Sequence, residues 1–415
     1  MRRALPLLAL ALNLLACGAS SPIYIYPDAT TSPGQDAGSP DTAAGTDALP
    51  GADAAISDAV ISDAASAPDA GTPDGARADA IPEDALDATL PDALDAARPD
   101  AHDVDASIED AAAPDAAGAD AGPVLDPEQP GPYTPVSRTE SFSVPATLHF
   151  VTLDCRLGDG APRGPLVVIA PGYQIAPAQY LTYAEHLASF GYVACTAAYS
   201  VGLVTSHVDA AADLTGAVDE LLALGADSTS PFFDRIDSSR IALVGHSLGG
   251  KLAVLAAAAD ARVKAIVGLD PVDAAPFCTQ ARCPDATDLL PLAIPIAVLG
   301  ETLDATPVIG TQACAPADGS YATFYDAASS PALEVTVTGA GHMSFIGSRA
   351  TCGLTCSACQ TPTADQDQVL TLARSYLVSF LERHLRGNTA YQTYLTGALA
   401  TQRYVTPGRA TLRSK

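Results

Sequence analysis

The segment Gly245-His246-Ser247-Leu248-Gly249 has Gly-x-Ser-x-Gly spacing. An apolar β-branched run, Ile241–Val244, precedes it, and a helix-forming run, Leu248–Ala259, follows. A serine at such a strand-to-helix turn is held in a strained conformation, and only small residues two before and two after it escape a clash. The helix N-terminus also directs unpaired N–H groups at the hydroxyl, where they favour a developing oxyanion. That chemistry is nucleophilic attack on an acyl carbonyl, with Ser247 as the nucleophile.

A serine hydroxyl needs a base to take its proton. Six histidines lie beyond His102: His149, His186, His207, His246, His342 and His384. His246 sits on the turn itself, where its ring should point away from Ser247. His186 and His384 fall within helical patterns, His207 opens another, and His149 lies on an early strand. His342 follows the run Leu333–Val337 on a glycine-containing loop, TGAGHMSF, and is the expected base. The order serine, acid, histidine along the chain suits that assignment. For the acid, Asp270 directly follows Val263–Leu269, and Asp304 lies just beyond Ile294–Leu299; Asp273 is a weaker candidate further along its loop. Two backbone donors should receive the oxyanion: Leu248 N–H after the nucleophile, and Tyr173 N–H in the loop after Leu166–Ala170. The Tyr173 ring would then wall the acyl pocket.

These positions require strands that end side by side. Leu166–Ala170, Tyr192–Ala198, Ile241–Val244, Val263–Leu269, Ile294–Leu299 and Leu333–Val337 read as buried strands. Helical patterns at Ala178–Phe190, His207–Leu224, Leu248–Ala259 and Gln366–Leu385 separate most of them. Short apolar runs alternating with helices imply an α/β domain with a mostly parallel, doubly wound sheet covered on both faces. Thr147–Leu153 alternates in polarity and reads as an antiparallel edge strand. The crevice at the strand C-termini is where such sheets bind ligands.

Residues 163–346 resemble the α/β-hydrolases that group chlorophyllases, platelet-activating-factor acetylhydrolases and polyester-degrading cutinases. GHSLGGK (Gly245–Lys251), VGLDPVD (Val267–Asp273), CAP (Cys314–Pro316), FYDAA (Phe324–Ala328) and GHM (Gly341–Met343) resemble chlorophyllase segments in the same order. APGY (Ala170–Tyr173) and GETLDATP (Gly300–Pro307) look like the cutinases instead. The first pattern places the acid at Asp270 and the second at Asp304; more segments agree with the first. The resemblance implies an α/β-hydrolase fold and ester hydrolysis through an acyl-enzyme without a cofactor. It does not imply chlorophyll as the substrate.

The remainder of the chain differs sharply in composition. The 415 residues carry a net charge of −27. Residues 27–132 hold 24 acidic side chains against 2 basic, and no Phe, Trp or Tyr. Such a segment buries too little apolar surface to offset its ordering entropy, and its like charges extend it. Residues 18–132 therefore read as a disordered tether and residues 133–415 as the folded domain. With no basic face, nucleic acid is not an expected partner. The tether's aspartates lack the glycine and bidentate glutamate of a calcium loop.

Arg2 and Arg3 precede an apolar run, Ala4–Ala16, too short to span a bilayer of about 30 Å. Its end, Leu14-Leu15-Ala16-Cys17, resembles a bacterial lipobox. Residues 1–17 thus read as a lipoprotein signal peptide, with Cys17 lipidated and the protein exported to a membrane of the cell envelope. Eight further cysteines suit an oxidising compartment. Cys195, in a core strand, reads as a buried thiol, Cys278 and Cys283 as a loop staple, and the Cys352/Cys356/Cys359 group as the source of another. That group lacks a fourth ligand at zinc-finger spacing. A small ester or lipid-like molecule is the expected substrate. Acyl transfer to an alcohol, or a non-catalytic surface module on the same fold, are the alternatives.

Overall fold

The structure is a computed structural model and describes residues 124–199, 205–274, 278–308 and 312–415. The expected signal peptide, Cys17 and the tether up to residue 123 lie outside the described residues. The described strands are β1 (Pro135–Ser143), β2 (Phe150–Gly158), β3 (Gly164–Ala170), β4 (Val193–Ala198), β5 (Ile236–His246), β6 (Val263–Leu269), β7 (Ile296–Glu301), β8 (Ala332–Val337) and β9 (Ala410–Ser414). Among the described residues they form one sheet in the order β1-β2-β4-β3-β5-β6-β7-β8-β9. The strands from β4 across to β8 pair in parallel, while β1, β2 and β9 pair antiparallel. This is the α/β-hydrolase fold.

Each central strand serves two cores because successive side chains point to opposite faces. On β3, Val167 and Ile169 enter one apolar cluster with the helices Leu181–Ser189 and Gln366–His384. Leu166, Val168 and Ala170 enter the other, with the helices His207–Ala226 and Leu248–Ala259. All seven residues of β3 are buried, as expected for a strand covered on both sides.

Three expectations change. The alternating stretch near Thr147 is antiparallel but not the edge: β2 lies between β1 and β4, and the polar, largely exposed β1 takes the edge. The packed domain begins before residue 133. Leu125 N–H donates to Tyr391 Oη, Asp126 takes both Arg403 guanidinium nitrogens at 2.7 and 2.9 Å, and Tyr404 Oη donates to Glu128. Cys195 is not a free thiol. It stands opposite Cys155 in the β2–β4 register and is bonded to it. Cys278–Cys283 forms the expected staple, and Cys314–Cys359 and Cys352–Cys356 complete four disulfides among the described residues. Among the described residues no helix is long and apolar enough to cross a membrane.

Candidate active site

The sheet turns its winding direction around β3: the chain passes from β3 to β4 on one side and then to β5 on the other. Beyond the C-terminal ends of β3, β5, β6, β7 and β8 come Gly172, Ser247, Asp270, Asp304 and His342, in the order of the strands. Parallel neighbours end at one edge, so residues far apart in sequence are gathered there.

Ser247 caps the N-terminus of Leu248–Ala259 with φ 55° and ψ −125°. A β-carbon at Gly245 would stand 2.1 Å from Gly249 O, and one at Gly249 would stand 2.1 Å from Ala170 O. Gly245 thus lets the end of β5 close on the helix and Gly249 lets the helix close on the end of β3, and Ser247 absorbs the strain, of order 1–3 kcal/mol. The turn is tied to β6 by Ser247 N–H on Leu269 O at 3.1 Å. Ser247 Oγ makes no hydrogen bond to another described residue, so the contact between nucleophile and base is open in this conformation.

His342 begins a short 3-10 turn, His342–Phe345, and is buried. Its Nδ1 lies 2.6 Å from Asp270 Oδ2. Its backbone N–H donates to Asp304 Oδ2, also at 2.6 Å. Its carbonyl oxygen accepts from His246 Nε2 at 3.0 Å. Asp270 itself sits at φ +46°, a left-handed conformation that Asp tolerates better than most residues, and its N–H remains on Leu299 O. Burial pushes the Asp270 carboxyl up from its ordinary value, against the lowering effect of the His342 hydrogen bond. Asp270 Oδ1 is buried without a partner among the described residues.

The competition between two acids resolves into two different contacts. Asp270 meets the imidazole. Asp304 meets the backbone of the same residue and, through Oδ1, the N–H of Gln360 at 2.6 Å. Asp304 is therefore not the partner of Nδ1; both of its oxygens are taken by main-chain donors. The weaker candidate, Asp273, faces away: its carboxylate binds the buried Lys251 ammonium and Ala286 N–H. Asp304, Cys314 and Cys359 lie close enough together to suggest a metal site, but both sulfurs are in one disulfide and the carboxylate is occupied. That donor set does not fit a metal ion.

For the oxyanion donors, Leu248 is the first helical residue, so its N–H has no acceptor within the helix. In the β3 loop, Gly172 N–H is taken by Tyr180 Oη at 3.0 Å. The next N–H, that of Tyr173, makes no bond among the described residues. Sequence reasoning did not reach Tyr180, His246 as a bridging group, or Glu301, which accepts from the N–H groups of Leu303 and Asp304.

A family model described as Chlorophyllase matches residues 138–404. Over 106 residues, 25% of this chain, the sequence is 34% identical to "Cutinase 2" of Thermobifida cellulosilytica, of which 38% is covered. The same identity over the same length relates it to "Cutinase cut1" of Thermobifida fusca, of which 32% is covered. The chain thus matches only about a third of the length of these curated relatives. The family model, by contrast, takes in every residue of the site just described, and with well over half of the sequence matched the chain belongs to the Chlorophyllase family of α/β-hydrolases.

Proposed function

We propose that the domain hydrolyses carboxylic esters through an acyl-enzyme on Ser247. The observation that carries this reading is the 2.6 Å contact of Asp270 Oδ2 with His342 Nδ1, beside a serine held on a strained strand-to-helix turn. Asp270 holds the ring so that Nδ1 carries the proton and Nε2 is left as the basic nitrogen. Nε2 takes the Ser247 proton as Oγ attacks the ester carbonyl. The tetrahedral oxyanion is received by the N–H groups of Leu248 and Tyr173. Collapse of that intermediate expels the alcohol, which takes the proton from His342 and leaves the acyl group on Oγ. A water activated by the same imidazole then releases the acid and restores Ser247.

The family match and the cutinase likeness support ester chemistry at this site. We place the enzyme at a membrane of the cell envelope through a lipid on Cys17, on the support of the LLAC run. A series of p-nitrophenyl esters of rising chain length, given to the wild type and to Ser247→Ala, tests the activity and reads the acyl size. Turnover should be confined to the wild type. Detergent partitioning of Cys17→Ser tests the anchor, and that variant should move to the aqueous phase.

A further inference from the structure

Three hydrogen bonds in series join the β3 loop, the nucleophile turn and the base loop. Gly172 N–H lies 3.0 Å from Tyr180 Oη, Tyr180 Oη lies 2.8 Å from His246 Nδ1, and His246 Nε2 lies 3.0 Å from His342 O. Tyr180 and His246 are fully buried. The direction of each bond follows from what the end groups permit. The His342 carbonyl only accepts, so His246 Nε2 carries a proton. Burial keeps the His246 ring neutral, holding its pKa well below the ordinary value, so Nδ1 is a bare acceptor. The Gly172 N–H only donates, so Tyr180 accepts there and spends its own proton on Nδ1. Burial also raises the Tyr180 phenol, which keeps that proton in place. A second tyrosine fixes the other side of the same peptide: Tyr199 Oη donates to Pro171 O. The Pro171–Gly172 peptide is thus held by its oxygen and its nitrogen, and the following N–H, that of Tyr173, makes no bond among the described residues.

We propose that Tyr180 and His246 are positioning residues that hold the oxyanion loop and the base loop in register across the nucleophile turn. The proposal rests on the ester-hydrolase reading above. Neither side chain need touch the substrate. Tyr180 sets the peptide that precedes the Tyr173 donor, and His246 sets the carbonyl of the residue whose ring is the base. The arrangement is crowded: a β-carbon at Gly172 would stand 2.8 Å from His246 Nδ1 and 3.2 Å from Ser247 Cβ. A shift of either loop would therefore be felt at the other. Misplacing reacting groups by about 1 Å costs up to about 100-fold in rate.

The test uses the full-length protein with p-nitrophenyl butyrate as substrate and an alkylboronic acid as a tetrahedral mimic. Tyr180→Phe keeps the ring and removes both bonds of the hydroxyl. It should lower kcat about 10- to 100-fold, weaken boronate binding by a similar factor and leave KM within about 3-fold. Two replacements of His246 should separate the two ends of the series. His246→Gln keeps a donor for His342 O and loses the Tyr180 acceptor, so the loss should appear in boronate affinity. His246→Asn keeps an acceptor for Tyr180 and loses the His342 bond, so the acidic limb of the pH–rate profile, where the base takes up its proton, should move. Tyr376→Phe is the control for a buried tyrosine, because the Tyr376 hydroxyl has no partner among the described residues. It should change neither readout. Thermal melts of every variant separate a loss of register from a loss of fold. Wild-type kcat and boronate affinity in folded Tyr180→Phe would overturn the proposal. Unchanged turnover in Ser247→Ala would instead overturn the ester-hydrolase reading beneath it.

Discussion

Asp304 grips His342 by its main chain, with Oδ2 2.6 Å from the His342 N–H, while the imidazole is left to Asp270. The two carboxylates therefore act on one residue in different ways. Asp270 bears on the tautomer and charge of the ring, and Asp304 on where the ring is carried.

Asp270→Asn should be the more severe change, costing about 10⁴-fold in kcat, because an amide favours the wrong tautomer and cannot balance an imidazolium. Asp304→Asn retains one acceptor and sets an N–H against the second backbone donor. It should cost about 10- to 100-fold in kcat and lower stability by about 1–3 kcal/mol. Parallel kinetics and melts of the two variants decide the ranking. A larger loss for Asp304→Asn, with Asp270→Asn mild, would exchange the two roles.

The Cys314–Cys359 bridge reinforces that grip. Ala315 N–H binds Asp304 O at 3.1 Å and Gln360 N–H binds Asp304 Oδ1 at 2.6 Å, and each donor directly follows one of the two cysteines. Loop-closure entropy gives a bridge with a sequence separation of 45 about 4 kcal/mol, against about 2 kcal/mol for Cys352–Cys356 with a separation of 4. The Cys314→Ala/Cys359→Ala pair should lower Tm more than Cys352→Ala/Cys356→Ala, and it alone should lower kcat. Equal effects of the two pairs on kcat would detach the bridge from the site.

Glu301 gives the fold a pH dependence of its own. Burial, and then the charge of Asp270, push its carboxyl up to about 7. The folded state therefore keeps a proton that the unfolded chain releases near the ordinary glutamate value. This group's contribution to stability falls as pH rises from that value through about 7, because the folded state binds more protons there. Glu301→Gln removes the ionisation and keeps an oxygen for the N–H groups of Leu303 and Asp304. Its Tm relative to wild type should rise between pH 5 and pH 8. A difference that does not vary with pH would contradict this assignment.

What the sequence made legible were features that are local in the chain. The glycines flanking Ser247 mark a turn that needs no distant information, and a histidine or aspartate just after an apolar run marks a strand end. The central strands were legible as runs buried on both faces. The edges were not: β1 and β9 are short of apolar residues and largely exposed, so nothing but pairing defines them. Residues 124–132 continue the acidic, proline-rich composition of the segment before them, yet Tyr391, Arg403 and Tyr404 reach them from more than 260 positions away. The Cys155–Cys195 bond depends on the register of β2 against β4. Distance in sequence also hid the bond from Tyr180 to His246 and the division of labour between Asp270 and Asp304. Each is a contact across loops that only the closed sheet brings together.

The central claim is that Ser247 is the nucleophile of an acyl-transferring site. A fluorophosphonate probe phosphonylates an activated serine by displacing fluoride. The full-length protein should gain the mass of one probe less HF, and peptide mapping should place it on Ser247. Labelling should disappear in Ser247→Ala and fall steeply in His342→Ala. A mass gain on another residue, or a folded wild-type protein that takes no probe, would contradict the account.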